Sequence, residues 1–243
     1  MPVLLTVMPV RENSFMTPYE SALSKKLSQA IELSSSLTKW ANATGNDFPP
    51  EESILQALIQ HIQFANRQFE EQWQRYWELC EKRRQLAHES EDGIKPINER
   101  LWDDIGYQFK GGTVANDLIK ILYLKIHRLQ LPVFPANRRK PVLYKDLRLH
   151  EDSYALLGQY FSWLLDLLQI VDFIPVNPSY CLKEFREQAR QFNVLTQEVT
   201  QEAEILRTIQ LTQSHLYKQL NQVMNTVRGR LLTYKRDTKR VMK

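Results

Sequence analysis

Cysteine is almost absent from this chain of 243 residues, which contains only Cys80 and Cys181. Each of the two falls inside a helical pattern, and neither has a partner at the spacing of a metal site. A disulfide framework is therefore not expected, and a reducing compartment fits this composition better. We expect a cytoplasmic protein that binds no metal and needs no cofactor.

Glycine is scarce, with seven residues, and the eleven prolines leave long uninterrupted stretches. An interior proline removes a backbone donor and clashes with the preceding turn, so proline-free stretches favour helices. These stretches are 51–95, 97–131, 142–174 and 179–243. Hydrophobic residues (43%) and charged residues (25%) stand in the proportion of a globular protein. Together with the long proline-free stretches, this composition predicts an all-α fold.

Long apolar runs are also missing. The most apolar stretch, 154–176, contains Asp166 and Asp172, and each carboxylate near the centre of a bilayer would cost about 2.5–3.5 kcal/mol. We predict a buried core helix here. The alternative hypothesis is that this stretch belongs to a membrane-active helical protein. The first residues are apolar, but two prolines interrupt them and no basic segment precedes them. We therefore expect residues 1–17 to form an N-terminal arm rather than a signal peptide.

Apolar residues recur at alternating steps of three and four along most of the chain, which is the spacing of one helical face. The pattern predicts helices at about 18–40, 51–88, 97–109, 114–130, 152–173 and 179–235. The second and the last are far longer than the average globular helix of about 11–12 residues. We therefore predict an elongated helical bundle over 18–224, with coiled-coil-like packing of its two long helices.

Two of these helices carry more detailed expectations. Thr113 is the predicted N-cap of the fourth helix, and the apolar residues predicted to share one face of that helix are Ala115, Leu118, Ile119, Leu122, Ile126 and Leu129. The last helix holds two heptad registers, and the shift between them near 206–209 is typical of a stutter, which locally unwinds a supercoil. The first register is Leu182, Phe185, Ala189, Phe192, Val199, Ala203 and Leu206, and the second is Ile209, Leu216, Leu220, Val223, Val227 and Tyr234.

Positive charge is concentrated at the end of the chain. Residues 225–243 hold seven basic residues and one acidic residue, a net charge of +6, whereas the whole chain carries +4. Basic side chains contact phosphates, and Tyr234 among them can stack on a base. We predict that this basic C-terminal segment binds nucleic acid or another anion, the alternative being a solvated helix end. The predicted contacts are Arg228, Arg230, Lys235, Arg236, Lys239, Arg240 and Lys243.

A second basic patch lies in the predicted loop from Asn137 to Lys145. It contains Arg138, Arg139 and Lys140, with Tyr144 nearby. The combination of basic and aromatic side chains is of the same type as in the C-terminal segment, so we predict anion binding here as well.

A short motif at the end of the second helix points to an enzyme instead. Arg83-Arg84-Gln85-Leu86-Ala87-His88 places a histidine after an arginine and four intervening residues. It resembles the active-site motif of HEPN-domain ribonucleases, an all-α family in which the residue after the arginine is commonly Asn, Asp or His. The resemblance implies that Arg83 and His88 act on a phosphodiester, usually across a dimer. The alternative is a basic last turn that complements the negative end of the helix.

Other catalytic patterns are missing from the sequence. It contains no His-Glu-x-x-His, Gly-x-Ser-x-Gly or Cys-x-x-Cys motif, and its five histidines show no paired-ligand spacing. We therefore predict a non-enzymatic helical scaffold or accessory subunit that docks a protein partner or forms a homo-oligomer. The basic segment 225–243 would contact nucleic acid or another acidic surface. A HEPN-like ribonuclease and a membrane-active protein are the alternatives.

Overall fold

The computed structural model describes residues 18–44, 50–109, 112–132, 144–177 and 181–241, so the predicted N-terminal arm lies outside the described residues. All regular structure in these ranges is helical and none of it is a strand, which confirms the all-α class. The helices are α1 (Pro18–Thr44), α2 (Pro50–Arg84), α3 (Ile94–Gln108), α4 (Val114–Arg128), α5 (Tyr144–Ile170) and α6 (Leu182–Val241). A π-helical turn, Gln85–Glu89, follows α2 directly.

Several helices begin where proline or a capping residue favours a start. Pro18 and Pro50 are the first residues of α1 and α2, where the missing N–H costs no intrahelical hydrogen bond. Helix α3 begins three residues before the predicted Ile97, because Pro96 is tolerated within its first turn. Thr113 caps α4 as predicted, since its hydroxyl accepts a hydrogen bond from the Asn116 N–H at 3.3 Å.

Helix α5 begins earlier than the sequence pattern indicated. It starts at Tyr144 rather than near Asp152, so Tyr144 and Lys145 of the predicted basic loop are helical. The nearest preceding proline is Pro141, and no proline therefore interrupts the helix over 144–151. The buried residues Tyr154, Phe161 and Leu168 confirm the predicted core helix. No helix within the described ranges is both long enough and apolar enough to cross a membrane.

The end of α5 is a Schellman cap, which stops the helix before the predicted Phe173. Asp172 has a φ of 50°, the left-handed conformation that this cap requires. Its N–H donates to the carbonyl of Gln169 at 3.1 Å, and the Phe173 N–H donates to that of Leu168 at 2.9 Å. Phe173 and Leu168 belong to the same buried cluster, which supplies the apolar contact of the motif.

The chain is organised in two compact units, and α2 and α6 contribute to both. The first unit contains α1, α2 up to Phe69 and α6 from Ile209 onward. Its core consists of Ala30, Leu37, Leu55, Leu58, Ile59, Ile62, Tyr217, Leu220, Met224 and Val227. The second unit contains the rest of α2, the π turn, α3, α4, α5 and α6 up to Thr208. Its core includes Ile97, Leu101, Ile119, Ile126, Leu157, Phe161, Leu164, Leu168 and Phe192.

Inward positions on α6 follow one uninterrupted seven-residue repeat. Two interleaved series of buried or partly buried residues run along the helix: Phe185, Phe192, Val199, Leu206, Gln213, Leu220 and Val227, and Ala189, Thr196, Ala203, Gln210, Tyr217, Met224 and Leu231. The predicted stutter near 206–209 is therefore wrong. The apolar pattern breaks there because two inward positions are occupied by Gln210 and Gln213, which a count of apolar residues passes over.

Polar side chains also occupy inward positions on α2, and each has a partner within its own unit. In the first unit, the carboxylate of Glu52 accepts a hydrogen bond from the Thr38 hydroxyl at 2.7 Å. The Asn66 side chain accepts one from Gln213 Nε2 at 2.9 Å and donates one to the Tyr217 hydroxyl at 3.2 Å. Such pairs fix the register of packed helices, because a shift of one turn would leave buried polar groups without partners.

Candidate functional sites

Arg83, from the predicted ribonuclease motif, is enclosed in the second unit with only 1% of its surface exposed. Its Nη1 binds Oε2 of Glu151 on α5, and its Nη2 donates to Oε1 of the same carboxylate at 3.1 Å. The Tyr76 hydroxyl also donates to this Oε1, at 3.1 Å. The guanidinium carbon lies 4.0 Å from the centre of the Tyr154 ring. Paired bonds and ring stacking are the contacts that suit a planar guanidinium.

The pKa values in this cluster keep Arg83 charged and its other neighbours neutral. Burial by itself would lower the pKa of Arg83, but the hydrogen bonds and the charge of Glu151 outweigh it and raise this pKa. Burial raises the pKa of the Cys80 thiol to about 12, and it also raises the pKa of Tyr76 and of Tyr154. At neutral pH the thiol is therefore protonated and is not a nucleophile.

His88, the second residue of the motif, lies at the surface in the π turn. Partial burial of the ring lowers the pKa of His88, and the positive charges of Lys95 and Arg84 lower it further. The motif therefore joins a surface histidine to an arginine whose Nη atoms already bind Glu151, and a phosphodiester would have to displace that carboxylate. This geometry supports a structural role for Arg83, while ribonuclease activity stays a prediction.

The basic residues of the C-terminal segment lie on or beyond the last turns of α6. Arg228 and Arg230 are exposed. Lys235, Arg236, Lys239 and Arg240 belong to the helical backbone of α6, but their side chains lie outside the described part of the chain, as does Lys243 altogether. Arg138, Arg139 and Lys140 of the second basic patch also lie outside the described residues.

Helices α4 and α5 run antiparallel beside each other in the second unit. At the start of α3, Lys95 Nζ donates to the carbonyl of Leu129, directly after α4, at 2.7 Å. At the end of α3, the Asp104 carboxylate accepts from the N–H of Val176, in the segment that follows α5, at 3.0 Å. The end of α4 and the end of α5 are thus at opposite ends of α3. Lys125 on α4 contacts Tyr160 on α5, and its Nζ lies 4.9 Å from the centre of the Tyr160 ring.

The outward sides of α4 and α5 carry large apolar side chains that the second unit leaves exposed. Residues three, four or seven apart lie on one side of a helix, so the exposed residues of each helix form a stripe. The two stripes adjoin, because Tyr160 contacts Lys125 on α4 and its ring centre lies 6.0 Å from that of Trp163. We call the following residues the α4–α5 face: Val114, Leu118, Ile121, Leu124, Leu156, Trp163 and Ile170.

The exposure of this face is large. Val114 is 78% exposed, Ile170 is 74% exposed and Trp163 is 47% exposed. The sequence pattern places Leu118 on one face with Ile119, Leu122 and Ile126. The structure separates it from them, because Leu118 is 44% exposed while the other three fill the core. Single exposed apolar residues are ordinary, but a contiguous apolar patch is typical of an interaction surface.

A polar groove of about 370 Å³ lies between α5 and α6 in the second unit, lined in part by Ser162, Asp166, Arg186 and Asn193. Its charged residues are paired: Arg186 Nη2 lies 2.7 Å from the Asp166 carboxylate, and Arg190 Nη2 lies 2.7 Å from the Glu187 carboxylate. Among the described side chains, no group of three His, Cys, Asp or Glu residues is arranged to hold a metal ion. The charged side chains at this groove are thus held in surface ion pairs.

Comparisons of this chain with protein-family models, with curated proteins and with solved structures found no match.

Proposed function

We propose that this chain is a non-enzymatic helical scaffold or accessory subunit that docks a protein partner through the α4–α5 face. The observation that carries the proposal is the set of seven large apolar side chains exposed together on two neighbouring helices. Burial of such surface against a partner contributes about 25 cal/mol per Å². The occupant of matching chemistry is another amphipathic helical surface, which lays its own apolar stripe along α4 and α5.

A second contact, with nucleic acid or another acidic surface, is proposed for the basic end of α6. Arg228 and Arg230 are exposed there, and the sequence adds five further basic residues within the next thirteen positions. Cations near a helix C-terminus are also favoured by the helix dipole. A polyanion bound at this end would release counterions, which makes the contact sensitive to salt.

The docking proposal is tested with a photo-crosslinking amino acid at position 124, in place of Leu124, in cells that make the protein. We expect a discrete crosslinked product, identified by mass spectrometry, because this position lies on the α4–α5 face. The matched control places the same amino acid at position 198, in place of Glu198, which is exposed on α6. Equal yields at the two positions, or no product at position 124, would contradict docking through this face.

The polyanion contact is tested by a salt titration of duplex and single-stranded DNA binding. We expect the slope of log affinity against log salt to be about −0.9 per duplex phosphate neutralised. Deletion of residues 228–243 should lower affinity without unfolding the protein, because most of the inward residues of α6 precede them. Exchange of the exposed Lys218 for Gln serves as a charge control. If the wild-type chain binds neither form at low salt, this proposal is wrong.

A further inference from the structure

Helix α4 carries two stripes of regularly spaced residues, one that fills the core and one on its outward side. Ile119, Leu122 and Ile126 point into the second unit. On the outward side, residues recur at steps of three, four, three and four, all of them exposed. This outward stripe is Val114, Asp117, Ile121, Leu124 and Arg128. Its spacing is that of the contact seam between two paired helices.

Charge is arranged along this stripe with opposite signs at its two ends. Asp117 lies in the first turn of α4 and Arg128 in the last turn, with the apolar Ile121 and Leu124 between them. An antiparallel copy of the same helix would place Asp117 opposite Arg128 of the partner and Ile121 opposite Leu124 of the partner. A parallel copy would instead place the two Asp117 residues against each other. The stripe is thus complementary to itself in the antiparallel direction.

We propose that the partner that docks on the α4–α5 face is a second copy of this chain, with the two α4 helices paired antiparallel. The inference rests on the proposed docking function and names its occupant. A twofold axis repeats every contact, so each copy contributes one carboxylate and one guanidinium to two equivalent ion pairs. Complementary charges of this kind fix the direction of pairing and disfavour other partners.

The α5 part of the face adds to the same interface. A twofold axis perpendicular to the plane of the paired α4 helices keeps both α5 helices on the same side of that plane. Trp163 and Ile170 then extend the apolar contact beyond α4. From their fractional exposure, the seven apolar residues of the face present on the order of 700 Å² per copy, close to the roughly 800 Å² per partner of a standard interface.

The test is the mass of the purified full-length chain as a function of concentration, measured by sedimentation equilibrium. We expect a monomer–dimer equilibrium for the wild type. Ile121→Glu should raise the dissociation constant by about tenfold or more, because it places a charge in the centre of the apolar seam. The matched control Lys218→Glu changes an exposed residue of α6 and should leave the equilibrium unchanged. Circular dichroism verifies that each variant remains helical.

Charge reversal makes the test specific for antiparallel α4 pairing. Asp117→Arg alone and Arg128→Asp alone should each weaken the dimer, because each places like charges opposite each other twice. The double variant restores opposite charges at both positions and should regain most of the wild-type affinity. Single reversals without effect, or a double variant as weak as the singles, would overturn the proposed pairing.

The remaining outcomes separate this inference from the docking function itself. A monomeric wild type, with a crosslink from position 124 to a different protein, overturns the second-copy inference and leaves docking in place. A monomer with no crosslink at position 124 overturns both. A dimer that persists in Ile121→Glu shows that the copies meet elsewhere, and this also overturns the inference.

Discussion

Arg83 occupies an inward position on α2 that is normally filled by an apolar side chain. Its charge is compensated by Glu151 on α5, and both residues are less than a tenth exposed. Removal of two charges from water is costly, and the ion pair offsets that cost only because the guanidinium also stacks on Tyr154 and the carboxylate also accepts from Tyr76. The pair therefore links α2 to α5 at one fixed register.

Removal of one partner should leave a buried charge without compensation. We expect Arg83→Leu and Glu151→Leu each to lower the free energy of unfolding by about 3–5 kcal/mol. The double variant should cost much less than the sum of the two, because it leaves no unpaired charge. Urea unfolding followed by circular dichroism measures all three.

A surface ion pair provides the control for this double-mutant cycle. Arg207 pairs with Glu204 on α6 at 3.3 Å, and both side chains are about half exposed. Arg207→Leu should therefore change the free energy of unfolding by only about 0–1 kcal/mol. A similarly small effect of Arg83→Leu would contradict the burial of Arg83.

The role of Arg83 was only partly accessible from the sequence. A six-residue pattern indicates a catalytic role for this arginine. Its place in the basic last turn of α2 indicates instead an interaction with the negative end of the helix. The carboxylate that binds it lies 68 positions further along the chain, and no local spacing connects two such residues. Only the packing of α5 against α2 brings them together.

At the scale of the element, the positions of the six helices along the chain follow from the sequence. Which residues face inward on each helix follows from it only in part. Proline positions and apolar spacing indicated each helix, because both act locally on the backbone. Inward polar residues such as Asn66 and Gln213 were missed, since their burial depends on a hydrogen bond to each other across two helices. The predicted stutter on α6 has the same origin, because the inward positions 210 and 213 are occupied by glutamines.

Close approach of α5 and α6 depends on Gly158. A Cβ at this position would lie 2.0 Å from Asn193 Oδ1 and 3.1 Å from Cδ1 of Phe192. We expect Gly158→Ala to lower the free energy of unfolding by about 1–3 kcal/mol, because the buried Phe192 and the bonded Asn193 must shift. Thermal unfolding of the purified protein measures the change.

Gly106 on α3 is the matched control, because a Cβ there meets no atom within 4 Å. Gly106→Ala should raise the free energy of unfolding by about 0.5–1 kcal/mol, the difference in helix propensity between the two residues. Equal effects of the two substitutions would contradict the close packing of α5 on α6.

At the scale of the whole molecule, the proposed function depends on surfaces that the sequence only partly indicates. The net charge of residues 225–243 is visible in the sequence itself. The α4–α5 face is not, because α4 carries apolar residues on two sides and local periodicity does not tell which side meets the core. The antiparallel packing of α4 against α5 determines which side of α4 meets the core. It leaves the side chains of Val114, Leu118 and Ile121 exposed at the surface.

The most direct test of the account is whether the α4–α5 face is covered in the cell. Ile121→Cys in a Cys181→Ser background provides a reporter thiol, since Cys80 is buried and has a pKa of about 12. We expect a thiol reagent to label Cys at position 121 at least about tenfold more slowly in cells than in the dilute purified protein, because a partner excludes the reagent. Cys at position 198, in place of the exposed Glu198, should be labelled equally fast in both settings. Equal labelling of position 121 in cells and in the dilute protein would contradict the central claim that this face docks a partner.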